Sequence, residues 1–250
     1  MSVLIAAIAL HSAHAVFFHS SVRATRGCHP SMSVMNDVDK WIESNVGAVA
    51  SRSGAGGGSG WSQCTRYKIE GSDKELFVKA SGSRNLESMF LGEAKGLQAL
   101  YECGKLAIPE VLHYADGFDG GSYIVMEYLE IGGRPDPEAF GRAMAQMHLA
   151  EPRDKEAKDG NFGFPVDNTI GATPQPNGWM NDWVSFFRER RIGHQVKLAR
   201  DDRMRKAWEQ CKQDTDGLKT LFEGINEPIR KFTPQDFTLI FAPADPFKAF

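Results

Sequence analysis

The sequence predicts an α+β fold in two lobes, a small antiparallel sheet carrying one long helix followed by a mainly helical lobe. Three observations predict it. Four strand-like runs occupy residues 64–69, 75–80, 111–114 and 122–129, and one amphipathic helix, 85–103, falls between the two pairs. The stretch IGGRPDP at 131–137 then ends the strand pattern. Beyond it, helical spacing dominates over 138–150, 179–199 and 202–222.

Each element has its own signal. Residues 36–46 form a short amphipathic helix with Val38, Trp41 and Ile42 on one stripe. Residues 51–60, SRSGAGGGSG, hold glycine at half of ten positions and predict a loop. The runs 64–69 and 75–80 are joined by the turn Glu70-Gly71-Ser72-Asp73, which makes a hairpin fed by that loop. In the helix 85–103, Leu86, Met89, Phe90, Ala94, Leu97, Leu100 and Tyr101 recur at helical spacing, and Gly104 closes it. The strands 111–114 and 122–129 flank the turn ADGFDGG at 115–121. Internal repeats are absent, and residues 228–250 hold four prolines without a clean period. The chain therefore divides into a leader at 1–35, a sheet lobe at 36–129, a helical lobe at 130–227 and a divergent tail at 228–250.

Composition excludes several classes of function. The 250 residues are 42% hydrophobic and 24% charged, with a formal charge of -3. No basic footprint points to nucleic acid, and no polybasic segment points to a membrane surface. Cys28, Cys64, Cys103 and Cys211 form no CxxC pair, which argues against a zinc site or a disulfide framework. Residues 1–15 are an apolar run ending in a small-x-small pattern, and no acid occurs before Met35. The run is too short to span a bilayer and has no Lys or Arg before Arg23. It reads as a removable leader addressed to a plastid or another organelle, or as an extension upstream of an internal start, with a cytoplasmic product in that case.

Chemistry concentrates on two charged positions. Lys79 shares a strand face with Phe77, and Glu93 lies four residues after Met89 on the apolar stripe of its helix. A buried charge without a partner is expensive, so Lys79 and Glu93 are expected to meet. A strand lysine, a helix glutamate and an upstream glycine loop are together the phosphate-holding parts of a kinase-like small lobe. Within the loop, Gly57 and Gly58 are candidates, since amides without a neighbouring Cβ approach phosphate oxygens closely. Composition alone leaves that loop equally readable as a flexible linker. Glu127, Tyr128 and Leu129 sit where a strand enters the inter-lobe linker, and their main chain is the candidate hinge for adenine. His148 reads as structural, and Trp179, Trp183 and Trp208 read as core.

Residues 162–177, FGFPVDNTIGATPQPN, followed by Trp179, Asp182, Trp183, Phe186, Phe187 and the triplet at 190–192, resemble the hallmark run of the fructosamine-3-kinase/ketosamine-3-kinase family. The strand ending at Lys79, the helix with Phe90 and Glu93, the run 125–129 and residues 141–148 fit the same pattern in order. The resemblance covers residues 36–227 and implies a protein-kinase-like fold and ATP-dependent phosphorylation of a ketosamine, a sugar condensed onto an amine. By that resemblance Lys79 binds the phosphates of ATP, Glu93 holds Lys79, and Glu127 to Leu129 receive adenine. Substrates are then ketosamine adducts on proteins or small amines, and the role is protein deglycation.

The same resemblance implies a His-Gly-Asp loop with a catalytic base, and acidic and amide ligands for Mg2+. No His follows His194, so neither base nor metal ligands are expected among these residues, and impaired transfer is expected with them. Asp236 and Asp245 sit in fragments that imitate kinase metal motifs without their context. The family places a redox-active cysteine after the glycines, where Ser59 stands here and Cys64 lies further on. Two alternatives stay open: a non-catalytic pseudokinase that binds nucleotide or a partner, and an aminoglycoside- or choline-kinase-like phosphotransferase.

Overall fold

A computed structural model describes residues 32–56, 62–82, 87–116, 121–132, 136–170 and 173–222. Residues 1–31 of the expected leader, Gly57, Gly58, Ser59, Leu86 and everything after residue 222, Asp236 and Asp245 included, lie outside the described residues.

Helix α1 (Met32–Asn45) precedes β1 (Val49–Gly54), β2 (Gln63–Ile69) and β3 (Glu75–Ser81). Helix α2 (Glu87–Cys103) then leads to β4 (Val111–Asp116) and β5 (Ser122–Glu127). The five strands form one antiparallel sheet in the order β1-β2-β3-β5-β4. The strand β1 corrects the expected loop at 51–60. Its side chains are almost all exposed, so no apolar alternation marks it, and its strand character comes from pairing Arg52 with Tyr67 and Ser53 with Arg66 across the edge of the sheet.

Successive residues of a strand face opposite sides, and both sides of this sheet are covered. Tyr123 and Val125 of β5, with Leu76, Val78 and Ala80 of β3, pack under Val34, Val38 and Ile42 of α1. Ile124 and Met126 face the other way, onto Phe90, Ala94, Leu97 and Leu100 of α2. Trp41 is only partly buried and stacks on His113 at 4.5 Å between centroids. The Tyr67 hydroxyl, deep in the first cluster, donates to Asp39 Oδ1 at 3.1 Å and ties α1 to the sheet. Helix α2 ends at Gly104, whose φ of 62° supplies the left-handed residue a helix end favours. Tyr101 departs from the expected stripe and is exposed.

The second part of the chain holds α3 (Pro137–His148), α4 (Lys155–Lys158), a hairpin of β6 (Asn168–Ile170) and β7 (Thr173–Gln175), and α5 (Trp183–Phe186). A π-helical segment (Phe187–Gly193) then continues through α6 (His194–Ala199), α7 (Asp202–Asp214) and α8 (Lys219–Phe222). The helix expected over 179–199 starts later than expected, because Met180 pairs with Phe162 as a β-bridge and Asp182 caps α5 by accepting from Ser185 N–H at 2.7 Å. The helix expected over 202–222 is broken after Asp214, where Asp216, Gly217 and Leu218 all take positive φ. Trp183, Val184, Phe186 and Leu218 form the third core cluster, with Trp208 packed against it. Trp183 and Trp208 are thus core, whereas Trp179 is only partly buried and stands outside the cluster. His148 is half-buried, and burial lowers its pKa.

Candidate functional site

The alternation that sends Val78 and Ala80 toward α1 sends Phe77 and Lys79 toward α2. Lys79 is 4% exposed on the central strand, opposite Cys64 of β2 and Ile124 of β5. Its Nζ donates to Glu93 Oε2 at 2.7 Å and lies 5.6 Å from the ring centroid of Phe90. The Glu93 side chain keeps 21% of its exposure against 5% for Lys79, so the glutamate is the more accessible member of a mostly buried pair. A charged hydrogen bond of this length is among the stronger polar contacts a protein makes.

Cys64 sits across the ladder from Lys79. Burial pushes its thiol up to about 11, against the opposing pull of the Lys79 charge. Burial thus disfavours the thiolate, the form in which a cysteine is reactive. On the same hairpin, Ala55 N–H donates to Cys64 O at 3.1 Å, the last described bond before the glycine stretch. Strand β1 ends with Gly54 opposite Thr65, next to Cys64 and hence one step along the sheet from Lys79, and Gly57 and Gly58 lie outside the described residues.

At the other edge of the pair, β5 ends at Glu127, two residues before the expected end of the strand. Glu127 N–H donates to Glu110 O at 2.9 Å, and Tyr128 N–H donates to Glu75 O at 3.0 Å. Both amides are therefore committed within the sheet. Leu129 N–H makes no hydrogen bond among the described residues. The Tyr128 ring is held under Arg66, whose Cζ lies 4.2 Å from the ring centroid, and Arg66 is in turn ion-paired with Glu75. Arg66 was not among the sequence candidates. Its signal was there: a basic residue mid-strand, two register positions from the acidic residue that opens β3.

The hallmark run folds into a buried polar network that its composition did not announce. Asn168, Gln175, Asn177 and Arg191 are all buried. Asn168 Oδ1 accepts from Gln175 Nε2 at 3.2 Å and from Asn177 Nδ2 at 3.0 Å. Asp167 Oδ1 accepts from Asn177 N–H at 2.7 Å. Arg191, reaching in from the π-helical segment, donates to Asn177 Oδ1 at 2.7 Å and Pro176 O at 2.8 Å. Burial pushes its guanidinium down to about 10, with Asp167 pulling the other way and Arg190 adding to the fall. It stays charged at neutral pH.

Among the described residues no group of three His, Cys, Asp or Glu side chains could hold a metal ion. No helix among the described residues is long and apolar enough to cross a membrane.

Comparison with known proteins gives this geometry its relatives. The family model described as fructosamine kinase matches residues 34–231. The chloroplastic protein-ribulosamine 3-kinase of Arabidopsis thaliana is 38% identical over 175 residues, which are 68% of this chain and 51% of that protein. The chloroplastic protein-ribulosamine 3-kinase of Oryza sativa subsp. japonica is 41% identical over 165 residues, 64% of this chain and 45% of that protein. This chain spans about half the length of these curated relatives. A crystal structure from Haemophilus somnus 129PT, provisionally named a fructosamine-3-kinase, superposes with a TM-score of 0.53 at 24% identity. It covers 64% of this chain and 52% of that one, and shows the kinase-like α+β fold.

Proposed function

Because this chain belongs to the fructosamine kinase family, we propose that residues 36–129 form the nucleotide-holding lobe of an ATP-dependent ketosamine 3-kinase. The observation that carries the reading is the 2.7 Å contact between Lys79 Nζ and Glu93 Oε2. A lysine held this way presents a fixed positive charge to phosphate oxygens, with the amides of Gly57 and Gly58 as the proposed cradle. Adenine is received at the junction of residues 127–129. Leu129 N–H is the donor there, since the amides of Glu127 and Tyr128 are committed to the sheet. Acceptance falls to main-chain carbonyls of the same three residues.

The substrate class follows from the relatives' names and is a ketosamine on a protein or small amine, with deglycation as the consequence. Residues 130–227 supply the helical lobe beside the nucleotide. Phosphoryl transfer depends on electrostatic stabilisation and on a base that orients the nucleophile. No His-Gly-Asp loop occurs within these 250 residues, so the chain alone binds ATP with weak transfer or none. Residues 1–35 are read as a leader addressed to a plastid or another organelle, with a cytoplasmic product as the alternative, and the chloroplastic relatives favour the plastid.

Calorimetric titration with ATP and Mg2+, together with a phosphorylation assay on a ribulosamine, tests the reading. Saturable ATP binding that Lys79→Met weakens is the expected result. A wild-type chain that is folded yet binds no nucleotide removes the assignment, and vigorous transfer to an aminoglycoside instead of a ribulosamine moves it to the neighbouring class.

A further inference from the structure

The family hallmark at residues 162–177 has no task in the nucleotide-site reading, and its place against α2 supplies one. We propose that this hairpin is a brace setting the position of the Glu93 helix, with Gly92 as its contact point and Asn168, Asn177 and Arg191 as positioning residues. The inference rests on the reading of Lys79 and Glu93 as the phosphate-holding pair.

Gly92 is buried and directly precedes Glu93. A Cβ at position 92 would lie 2.9 Å from Asn168 Cβ, 3.0 Å from Asn168 Cα and 3.0 Å from Asp167 O. Two of those three atoms are backbone, so no side-chain rotation makes room. The helix therefore rests backbone to backbone on the start of β6.

That resting point is fixed from behind. Asn168 is gripped by Gln175 and Asn177, and Asp167 takes the Asn177 amide. Asn177 is gripped by Arg191, whose second nitrogen holds Pro176 O. A continuous buried chain of contacts thus runs from the π-helical segment to the residue beside Glu93. Densely packed interiors pass displacement on rather than absorbing it. A shift of α2 by about 1 Å would stretch the 2.7 Å contact with Lys79 beyond hydrogen-bond range. The signature run acts on the nucleotide through α2, without touching it.

The test inserts a methyl group at the contact. Gly92→Ala is made in the full chain, in wild-type and Glu93→Gln backgrounds, and each protein is read twice. Calorimetry gives ATP affinity, and mass spectrometry gives the rate at which an amine-acylating reagent modifies Lys79. Gly92→Ala is expected to weaken ATP binding about fivefold or more and to speed Lys79 labelling, and both effects should disappear in the Glu93→Gln background. Equal effects in the two backgrounds mean that Gly92 serves packing alone and overturn the brace. Unchanged labelling in a folded Gly92→Ala protein overturns it as well. A wild-type chain that binds no ATP defeats the nucleotide reading, while the labelling comparison still decides the brace. Should Gly92→Ala fail to melt cooperatively, Arg191→Lys keeps the charge but loses the two-pronged grip and carries the same expectations from the far end of the chain.

Discussion

On the sheet side, Lys79 enters a largely apolar layer among Phe77, Phe90 and Ile124 and reaches the Glu93 carboxylate. Beyond residue 160 the pattern inverts: Asn168, Gln175, Asn177 and Arg191 are buried together and hydrogen-bond one another, with only Asn168 Nδ2 and Arg191 Nε of these four left without a partner among the described residues. The first arrangement keeps a charge where apolar packing already supplies stability. The second uses polar contacts as the packing itself. A buried charge therefore serves a ligand in one region and the architecture in the other, and mutation should separate the two.

Arg191→Met should have the largest effect on folding. It strands Asn177 Oδ1 and Pro176 O and removes the guanidinium from the face of Phe186, 4.5 Å away. We expect a loss of roughly 3 kcal/mol in urea unfolding, since a hydrogen bond to a charged group contributes about 1.5–3 kcal/mol. A loss below 1 kcal/mol would erase the contrast between the two regions. Lys79→Met should behave differently: ATP affinity falls by about tenfold or more, as a charge-assisted contact is lost. Stability should fall by only about 1–2 kcal/mol, because Met fits the apolar layer and the partly exposed Glu93 can turn to water. Melting curves and titration on one preparation decide it.

The sheet side was legible because its physics is periodic. Alternation of apolar residues gave β2, β3 and β5, and helical spacing gave α2 with Glu93 on the buried stripe. Strand β1 escaped because Ser51, Arg52, Ser53 and Gly54 carry no apolar alternation; only the partner strand makes them extended. The polar network escaped for the opposite reason. Asn, Gln and Asp in a Pro-rich run read as surface loop, and nothing local reveals that Arg191 will arrive from another segment. The run was recognisable as a motif, but its contact with Gly92 depends on two elements that sequence spacing does not relate.

Smaller effects sharpen the same picture. Tyr67→Phe removes the hydroxyl that reaches Asp39 and should cost about 1 kcal/mol, measured by denaturant unfolding, with ATP affinity unchanged. Cys64, its thiol raised to about 11 by burial, should react with iodoacetamide at pH 8 far more slowly in the folded than in the urea-unfolded chain. The smallest effect concerns pH. Burial lowers the pKa of His113 in the folded state, so the unfolded chain takes up its proton first as pH falls. The stability contributed by neutral His113 is complete above the unfolded value of about 6.5 and is lost as pH drops through the folded value. His113→Phe, which can keep the stack on Trp41, should flatten that part of the stability–pH curve below about 6.5.

The wide coil at Phe187–Gly193 carries a consequence for how the chain tolerates length changes. A π-turn holds more residues than an α-turn, so the segment behaves as a helix with a residue inserted, a known mark of function. Removing one residue there would let the backbone relax into ordinary α-helix while turning every earlier side chain by about 100°. Arg191 would then be out of phase with the aromatic cluster at Trp183 and Phe186. Indels should accordingly be excluded from these seven positions among working copies of the gene and accumulate instead in the exposed helix that follows.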